Sequence, residues 1–311
     1  GNFLRHIFKR LTTSKSRPSY FLRPPQLELL SLEQRITPSN SPIIVSNTAD
    51  SGIGSLRQAI DLANATPGDD IINFSIIGTI TLDSQNNTVP ASLPTILNVN
   101  ATASGTGGTG TTVGTLTING PGSSSLIISG LDNGNNGRNF NIFNIATGGD
   151  LSISGVTVSG AITSGNGGAF NNAGTLTVTN STISGNTSPN EGGGIYNKSG
   201  ATLIVTNSTL SGNTAAIGAG GGIANFGTLN VTNSTLSSNT AQFGGGIANF
   251  GTLNVTNSTL SGNTAQICGG IFNSGTLAIT NSTLSGNTSA NNGGGIFNDN
   301  GAILSITNST L

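Results

Sequence analysis

The chain has 311 residues, of which 47 are Gly and only 7% are charged, and its formal net charge is −1. This near neutrality excludes the electrostatic field that gathers nucleic acid or anionic membrane. The single cysteine, Cys268, excludes an internal disulfide and a Cys-based metal site. No apolar run reaches the about 18 residues of a membrane-spanning helix, so no transmembrane segment is predicted.

Residues 1–42 form a basic leader that we expect to be disordered or related to export. No acidic residue precedes Glu28, and the basic residues before it are Arg5, Lys9, Arg10, Lys15, Arg17 and Arg23. Interleaved apolar residues make this start amphipathic, as in surface helices and export signals. The run LLSLEQRITPS at residues 29–39 resembles the Leu-Glu-x-Arg-x-x-Pro-Ser leader of planctomycete surface proteins. That resemblance implies export and residence at the cell surface.

Residues 43–70 are predicted to form an N-terminal cap. A short strand at 43–45 precedes a helix at about 55–65, in which Ser55 and Gln58 fit a capping box. Four apolar residues recur at the spacing of one helix face. They are Leu56, Ala59, Ile60 and Ala63, with Arg57, Gln58, Asp61 and Asn64 on the other face. We expect this helix to cover the open core of the first coil.

Residues 71–165 are predicted to form irregular coils. Short β-type runs occur at 71–77, 79–82, 115–119 and 125–129, separated by Gly, Asn and Pro. No long helical pattern interrupts them, which indicates an all-β region.

Residues 166–311 are a regular array. Six copies of Thr-Asn-Ser-Thr-Leu/Ile place their Asn at Asn180, Asn207, Asn233, Asn257, Asn281 and Asn308, with steps of 24 to 27 residues. Each copy contains three short runs in which apolar and polar residues alternate, the period of a β-strand. Corners of one or two residues cannot form hairpins throughout, so equivalent strands must stack in parallel, about 4.8 Å apart. The array stops within a copy at Leu311, which predicts a truncated C-terminus.

Like residues recur at like positions, and these columns predict the interior. One inward column is Leu176, Leu203, Leu229, Leu253 and Leu277; another is Val178, Val205, Val231, Val255 and Ile279. A third is Ile195, Ile223, Ile247, Ile271 and Ile296; a fourth is Ile183, Leu210, Leu236, Leu260 and Leu284. Asn columns beginning at Asn186 and Asn197 are predicted at corners, where left-handed backbone is tolerated and the side-chain amides can bond from coil to coil.

The sequence therefore predicts an all-β fold, a right-handed parallel β-helix with a short N-terminal capping helix. The stretch NTADSGIGSLRQAI at 47–60 resembles the opening module of bacterial CSLREA-type β-helix proteins, with Gly54 in place of their first Cys. The Gly-Gly-Ile runs resemble the repeats of chlamydial polymorphic outer-membrane proteins. Both resemblances imply the pectin-lyase-like superfamily, whose members are mostly secreted or surface proteins.

We expect a secreted or cell-surface structural or adhesive protein without catalytic activity. Polysaccharide lyases and hydrolases, the alternative that the superfamily implies, need clustered carboxylates. Between 166 and 311 the charged residues are Glu191, Lys198 and Asp299 alone. The charged residues before 166 that could still come together in a catalytic site are Asp69, Asp70, Asp83, Asp132, Asp150 and Arg138. No cofactor or metal is predicted, and the chain is expected to be a monomer.

An aromatic column is the candidate binding site. It consists of Phe170, Tyr196, Phe272 and Phe297, interrupted by Ala224 and Ala248. If these rings face outward they could hold sugar faces, although stacked rings also stabilise a solenoid by themselves. Extracellular glycans or other surface proteins are therefore the predicted partners. Cys268 is interpreted as a tolerated small residue at a position where the preceding copy has Gly244.

Overall fold

The computed structural model describes residues 41–66, 68–82, 97–100, 114–130 and 140–311. These residues form a parallel β-solenoid of about nine turns, which confirms the predicted fold class. The leader residues 1–40 and the helix-stopping Pro67 lie outside the described residues.

Four parallel sheets run along the solenoid. Sheet A contains Ile43–Val45, Asp70–Phe74, Leu116–Asn119, Asp150–Ser154, Thr175–Thr179, Thr202–Thr206, Thr228–Thr232, Thr252–Thr256, Thr276–Thr280 and Ile303–Thr307. Sheet B contains Gly78–Thr81, Leu126–Ser129, Thr157–Ser159, Thr182–Ser184, Thr209–Ser211, Thr235–Ser237, Thr259–Ser261 and Thr283–Ser285. Sheet C contains Leu97–Val99, Phe143–Ile145, Phe170–Asn172, Ile195–Asn197, Ile223–Asn225, Ile247–Asn249, Ile271–Asn273 and Ile296–Asn298.

Sheet D is a fourth, shorter sheet that follows sheet B in five coils, whereas the sequence indicated three strands per copy. Its strands are Thr187–Ser188, Thr214–Ala215, Thr240–Phe243, Thr264–Ile267 and Thr288–Ser289. Several of its strands have only two residues, which is too short for the alternating pattern to be visible in the sequence.

The strands stack in register, so each inward residue lies over its counterpart. Leu229 pairs with Leu253 and Val231 with Val255 in sheet A, and Ile247 pairs with Ile271 in sheet C. All of these side chains are fully buried in one continuous core. The predicted columns are therefore confirmed as the interior, although Ile296 in the last coil is only partly buried.

Two Asn ladders, buried except at their last members, join the coils as the sequence predicts. One runs from Asn186 through Asn213, Asn239 and Asn263 to Asn287, and the other runs from Asn172 through Asn197, Asn225, Asn249 and Asn273 to Asn298. Their side-chain bonds are 2.6 to 3.0 Å long. The ladder Asn do not use the left-handed backbone that such corners tolerate. The left-handed Asn are Asn180, Asn207, Asn233, Asn257, Asn281 and Asn308, with φ of 48 to 50°.

The α-helix Leu56–Ala65, here α1, packs on the first coils as predicted. Its buried residues include Leu56 and Ile60. Gln58 N donates to the Ser55 hydroxyl, and Gln58 Oε1 accepts from Gly54 N rather than from Ser55. Arg57 is not on the solvent face but is buried, and it forms a 2.6 Å ion pair with Asp50.

Candidate binding surface

The predicted aromatic column lies on the outer face of sheet C. Tyr196, Ala224, Ala248, Phe272 and Phe297 are register partners in successive coils. Tyr196 and Phe297 are half-buried, and Phe272 is 9% exposed. The column therefore faces outward, but its neighbours cover much of it.

Phe170 does not belong to this column, so that part of the prediction is wrong. It pairs with Phe143 on one side and Ile195 on the other, and its side chain is fully buried. The rings of Phe143 and Phe170 stack inside the core with centroids 5.1 Å apart. Asn171 is the residue of that coil that pairs with Tyr196.

Two further rings fill the gaps that the alanines leave. Phe226 and Phe250 follow the Ile-Ala-Asn strands and lie in the turns from sheet C to sheet A. The aromatic stripe, defined as Tyr196, Phe226, Phe250, Phe272 and Phe297, is continuous, with successive centroids 5.5, 4.6, 5.8 and 5.5 Å apart. Each of these five coils thus contributes one ring to the stripe.

The ring orientations determine what the aromatic stripe can contact. Phe226 and Phe250 are stacked with an interplanar angle of 13°, and Phe272 and Phe297 with one of 12°. Stacking covers one face of each ring, so the stripe presents ring edges and partial faces as a narrow apolar ridge. Phe250 is its most exposed member described, at 37%.

A polar group lies at the Tyr196 end of the aromatic stripe. Asn166 Nδ2 donates to Glu191 Oε2 at 3.4 Å. Burial raises the pKa of the Glu191 carboxyl. Burial also raises the pKa of the Tyr196 hydroxyl, and the negative charge of Glu191 raises it further. Tyr196 therefore remains a neutral hydroxyl that can donate a hydrogen bond.

The acidic residues of the earlier coils are only partly brought together. Asp69 Oδ1 accepts from Thr115 N at 2.8 Å, and Asp150 Oδ2 accepts from Thr115 Oγ1 at 3.2 Å. Asp70 instead accepts from Thr66 Oγ1 beyond the end of α1. Asp83, Asp132 and Arg138 lie outside the described residues. Among the described residues, no three of His, Cys, Asp and Glu lie close enough together to hold a metal ion.

Hydroxyl columns cover the outer faces of sheets A and B. In sheet A the outward Thr202, Thr228 and Thr252 lie in register. In sheet B every described strand from Thr157–Ser159 to Thr283–Ser285 presents one Thr and one Ser, also in register. These surfaces can exchange hydrogen bonds with water or with a hydroxylated partner without any charge.

Cys268 is a buried thiol at a left-handed corner. Its φ is 60°, and it occupies the position of Gly244 in the coil before, since Phe243 pairs with Ile267. Its Sγ lies 3.0 Å from the Ile271 carbonyl oxygen. Burial raises the pKa of the thiol from 9.0 to about 11, against a smaller opposing effect of backbone hydrogen bonds.

Stability should therefore fall as the pH rises from about 9 to about 11. In that window the unfolded chain releases the thiol proton while the folded chain keeps it, so deprotonation favours the unfolded state by up to about 2–3 kcal/mol. Urea unfolding of the wild type and of Cys268→Gly across this pH range measures the difference. Parallel pH curves for the two proteins would contradict the assignment.

Comparison with known protein families, with characterised proteins and with solved structures finds no match to this chain. The resemblances noted in the sequence therefore remain predictions about ancestry. The described part of the chain has no helix with the length and apolar character needed to cross a bilayer.

Proposed function

We propose that this protein is a structural or adhesive β-helix displayed outside the cell, and that it is not an enzyme. The observation that supports this best is the scarcity of charge along residues 140–311. Residues 140–311 contain four charged side chains, those of Asp150, Glu191, Lys198 and Asp299, among columns of Thr, Ser and Asn. Hydrolysis or elimination on a polysaccharide needs carboxylates or cations placed together at one point, which this surface does not favour.

The coil-to-coil bonding also favours an extracellular structural role. Besides the Asn ladders, a Ser column at the corner after sheet A is buried, and its backbone N–H groups donate to the hydroxyl of the Ser in the next coil. Ser208 N donates to Ser234 Oγ, and Ser234 N donates to Ser258 Oγ, both at 3.1 Å. Such ladders bind successive coils together where a disulfide would be the usual extracellular crosslink.

A test combines location with chemistry. On cells that make the protein, we expect antibodies and added protease to reach it without lysis, and we expect loss of the gene to reduce attachment between cells or to surfaces. We also expect no new reducing or unsaturated ends when the purified protein is incubated with neutral and acidic polysaccharides. Depolymerisation of any of them, or a purely intracellular location, would refute the proposal.

Polysaccharide binding is the second candidate, and the aromatic stripe is the observation that favours it. Five rings follow one another at roughly the coil spacing of about 4.8 Å, bordered by hydroxyl and amide side chains. Binding of the protein to the same polysaccharides should be lost in the double variant Phe226→Ala/Phe250→Ala. It should persist in Ile217→Ala, which removes an apolar side chain that is 71% exposed and not part of the stripe.

A further inference from the structure

In residues 140–311, the turns from sheet C to sheet A have two lengths. Three long turns, 146–149, 198–201 and 299–302, are each closed by a backbone hydrogen bond of 2.9 to 3.1 Å. Four short turns have two residues each, at 173–174, 226–227, 250–251 and 274–275. A short turn between two long ones leaves a recess in the surface of the solenoid.

One such recess is open. The short turn Ala173-Gly174 lies between the long turns 146–149 and 198–201, and the space between them is a cavity of about 360 Å³. In two later coils the first residue of the short turn is Phe226 or Phe250, each a ring of the aromatic stripe. In this coil it is Ala173, whose small side chain lines the cavity and leaves it open. We call this recess the notch; its lining includes Thr147, Asp150, Ala173, Thr175, Gly200 and Thr202.

The notch carries a carboxylate, that of Asp150, at the start of a sheet A column that continues with Thr. Asp150 is in register with Thr175, which is in register with Thr202, and the column continues as Thr in the next three coils. Thr115 donates to Asp150 Oδ2, and the described residues give Asp150 no ion pair. A carboxylate and the hydroxyls of Thr147, Thr175 and Thr202 thus line one small recess.

We propose that the notch binds a single uncharged sugar ring. Its volume is at the small end of ligand cavities, which suits one ring rather than a longer segment. The two long turns belong to coils about 10 Å apart, which leaves room for one ring between them. The Asp150 carboxylate can accept from sugar hydroxyls in charge-assisted hydrogen bonds, while Thr hydroxyls donate and accept. Its negative charge disfavours uronic acids.

This proposal rests on the second candidate function, polysaccharide binding, but the notch and the aromatic stripe can be tested separately. Binding of uncharged oligosaccharides (gluco-, manno-, xylo- and N-acetylated chito-oligosaccharides) and of oligogalacturonate to the purified full chain is measured by calorimetry. We expect saturable binding of at least one uncharged oligosaccharide and none of oligogalacturonate. Asp150→Thr, which installs the residue of the neighbouring coils, should weaken binding about tenfold or more.

Ala173→Phe should abolish binding by filling the notch. The backbone tolerates a ring there, because Ala173 N donates to Ile145 O of the preceding coil as Phe226 N donates to Asn197 O of the coil before it. Ser274→Phe places the same ring on another short turn and should leave binding unchanged. Circular dichroism checks that all variants keep the fold.

Three results would overturn the notch proposal. They are binding that survives both notch substitutions, binding lost only with Phe226→Ala/Phe250→Ala, and absence of binding to every uncharged oligosaccharide. The second of these would leave the aromatic stripe as the binding surface. Cleavage of a bound oligosaccharide would instead refute the non-catalytic function, while the effect of Ala173→Phe would still report on the notch.

Discussion

Replacing Asn239 with Ala is expected to lower the free energy of unfolding by about 3–5 kcal/mol. Asn239 Oδ1 accepts from both the backbone N and the Nδ2 of Asn213, each at 3.0 Å. Its own Nδ2 donates to Leu210 O and to Asn263 Oδ1. All of these atoms belong to buried residues, so Ala would leave the backbone N–H of Asn213 without its acceptor and without water. It would also remove the bonds of Asn239 to Asn213 Nδ2, Leu210 O and Asn263 Oδ1, although Asn213 Nδ2 keeps Ile183 O and Asn263 Oδ1 keeps the Asn239 backbone N–H.

The matched control is Asn230→Ala in the same coil. Asn230 lies on the outer face of sheet A, where it accepts from Asn254 Nδ2 at 2.9 Å in an exposed bond. Water can replace that bond, so we expect a change within about 0.5 kcal/mol. Urea unfolding followed by far-ultraviolet circular dichroism measures both variants, and amide exchange at Asn213 should accelerate only with Asn239→Ala. Equal losses for the two variants would show that the ladder adds nothing beyond surface amide pairs.

Gly245→Ala is expected to destabilise the protein by about 3 kcal/mol or more, because its methyl group would meet backbone on the next coil. A Cβ at Gly245 would lie 2.5 Å from Thr264 O and 2.6 Å from Gly269 O. Neither atom can move without disturbing the hydrogen bonds that join these coils. We therefore expect loss of order in the coils around residue 245 as well as a lower unfolding midpoint.

Gly262→Ser is the control for that substitution. Gly262 has φ of +61° but its Cβ would have no neighbour closer than 3.9 Å, and the same corner one coil earlier holds Ser238 at φ 55°. The cost should be about 1 kcal/mol, the penalty for left-handed backbone alone. Urea midpoints and amide-exchange maps of both variants measure the contrast. A milder effect of Gly245→Ala than of Gly262→Ser would show that the coils are not packed this closely.

The inward columns could be predicted because each depends on a two-residue period repeated at a nearly constant step. An Ile or Leu that recurs in five copies at the same distance from the same Asn has one consistent placement in a parallel stack. The helix α1 could also be predicted, since its apolar spacing and capping residues are local signals. The burial of Arg57 could not be predicted in this way. Its ion-pair partner Asp50 lies in the preceding loop, and the periodicity of the helix does not indicate a partner outside the helix.

The predicted position of Phe170 differs from the observed one by a single residue. Aligning the run Gly167-Gly168-Ala169-Phe170 with the run that ends at Tyr196 matches Phe170 to Tyr196. Matching Asn172 to Asn197 instead pairs Phe170 with Ile195, as the structure has it. A slip of one residue in a strand turns the side chain from the core to the surface. The buried Asn was therefore the reliable marker of register, and the aromatic residue was not.

The rest of the candidate surface was missed because it involves turns. Phe226 and Phe250 lie two residues after the alanines that interrupt the column, and only the fold brings their rings into line with Phe272. The sequence does contain one signal for these rings, because the two coils that have Ala in the aromatic column are also the two that have Phe in the following turn. No single stretch of the sequence predicts the notch, because it arises from the turn lengths of three successive coils.

The central claim is that equivalent residues of successive coils stack in parallel and in register. Disulfide formation tests it directly, with Asn230→Cys/Asn254→Cys compared with Asn230→Cys/Thr256→Cys, both in the Cys268→Gly background and read by mass spectrometry. Asn230 and Asn254 are register partners, so their cysteines should crosslink rapidly on oxidation. Thr256 lies on the same face but two residues along, at about 8 Å, beyond disulfide reach. Equal crosslinking of both pairs, or faster crosslinking of the second, would contradict the stacked architecture.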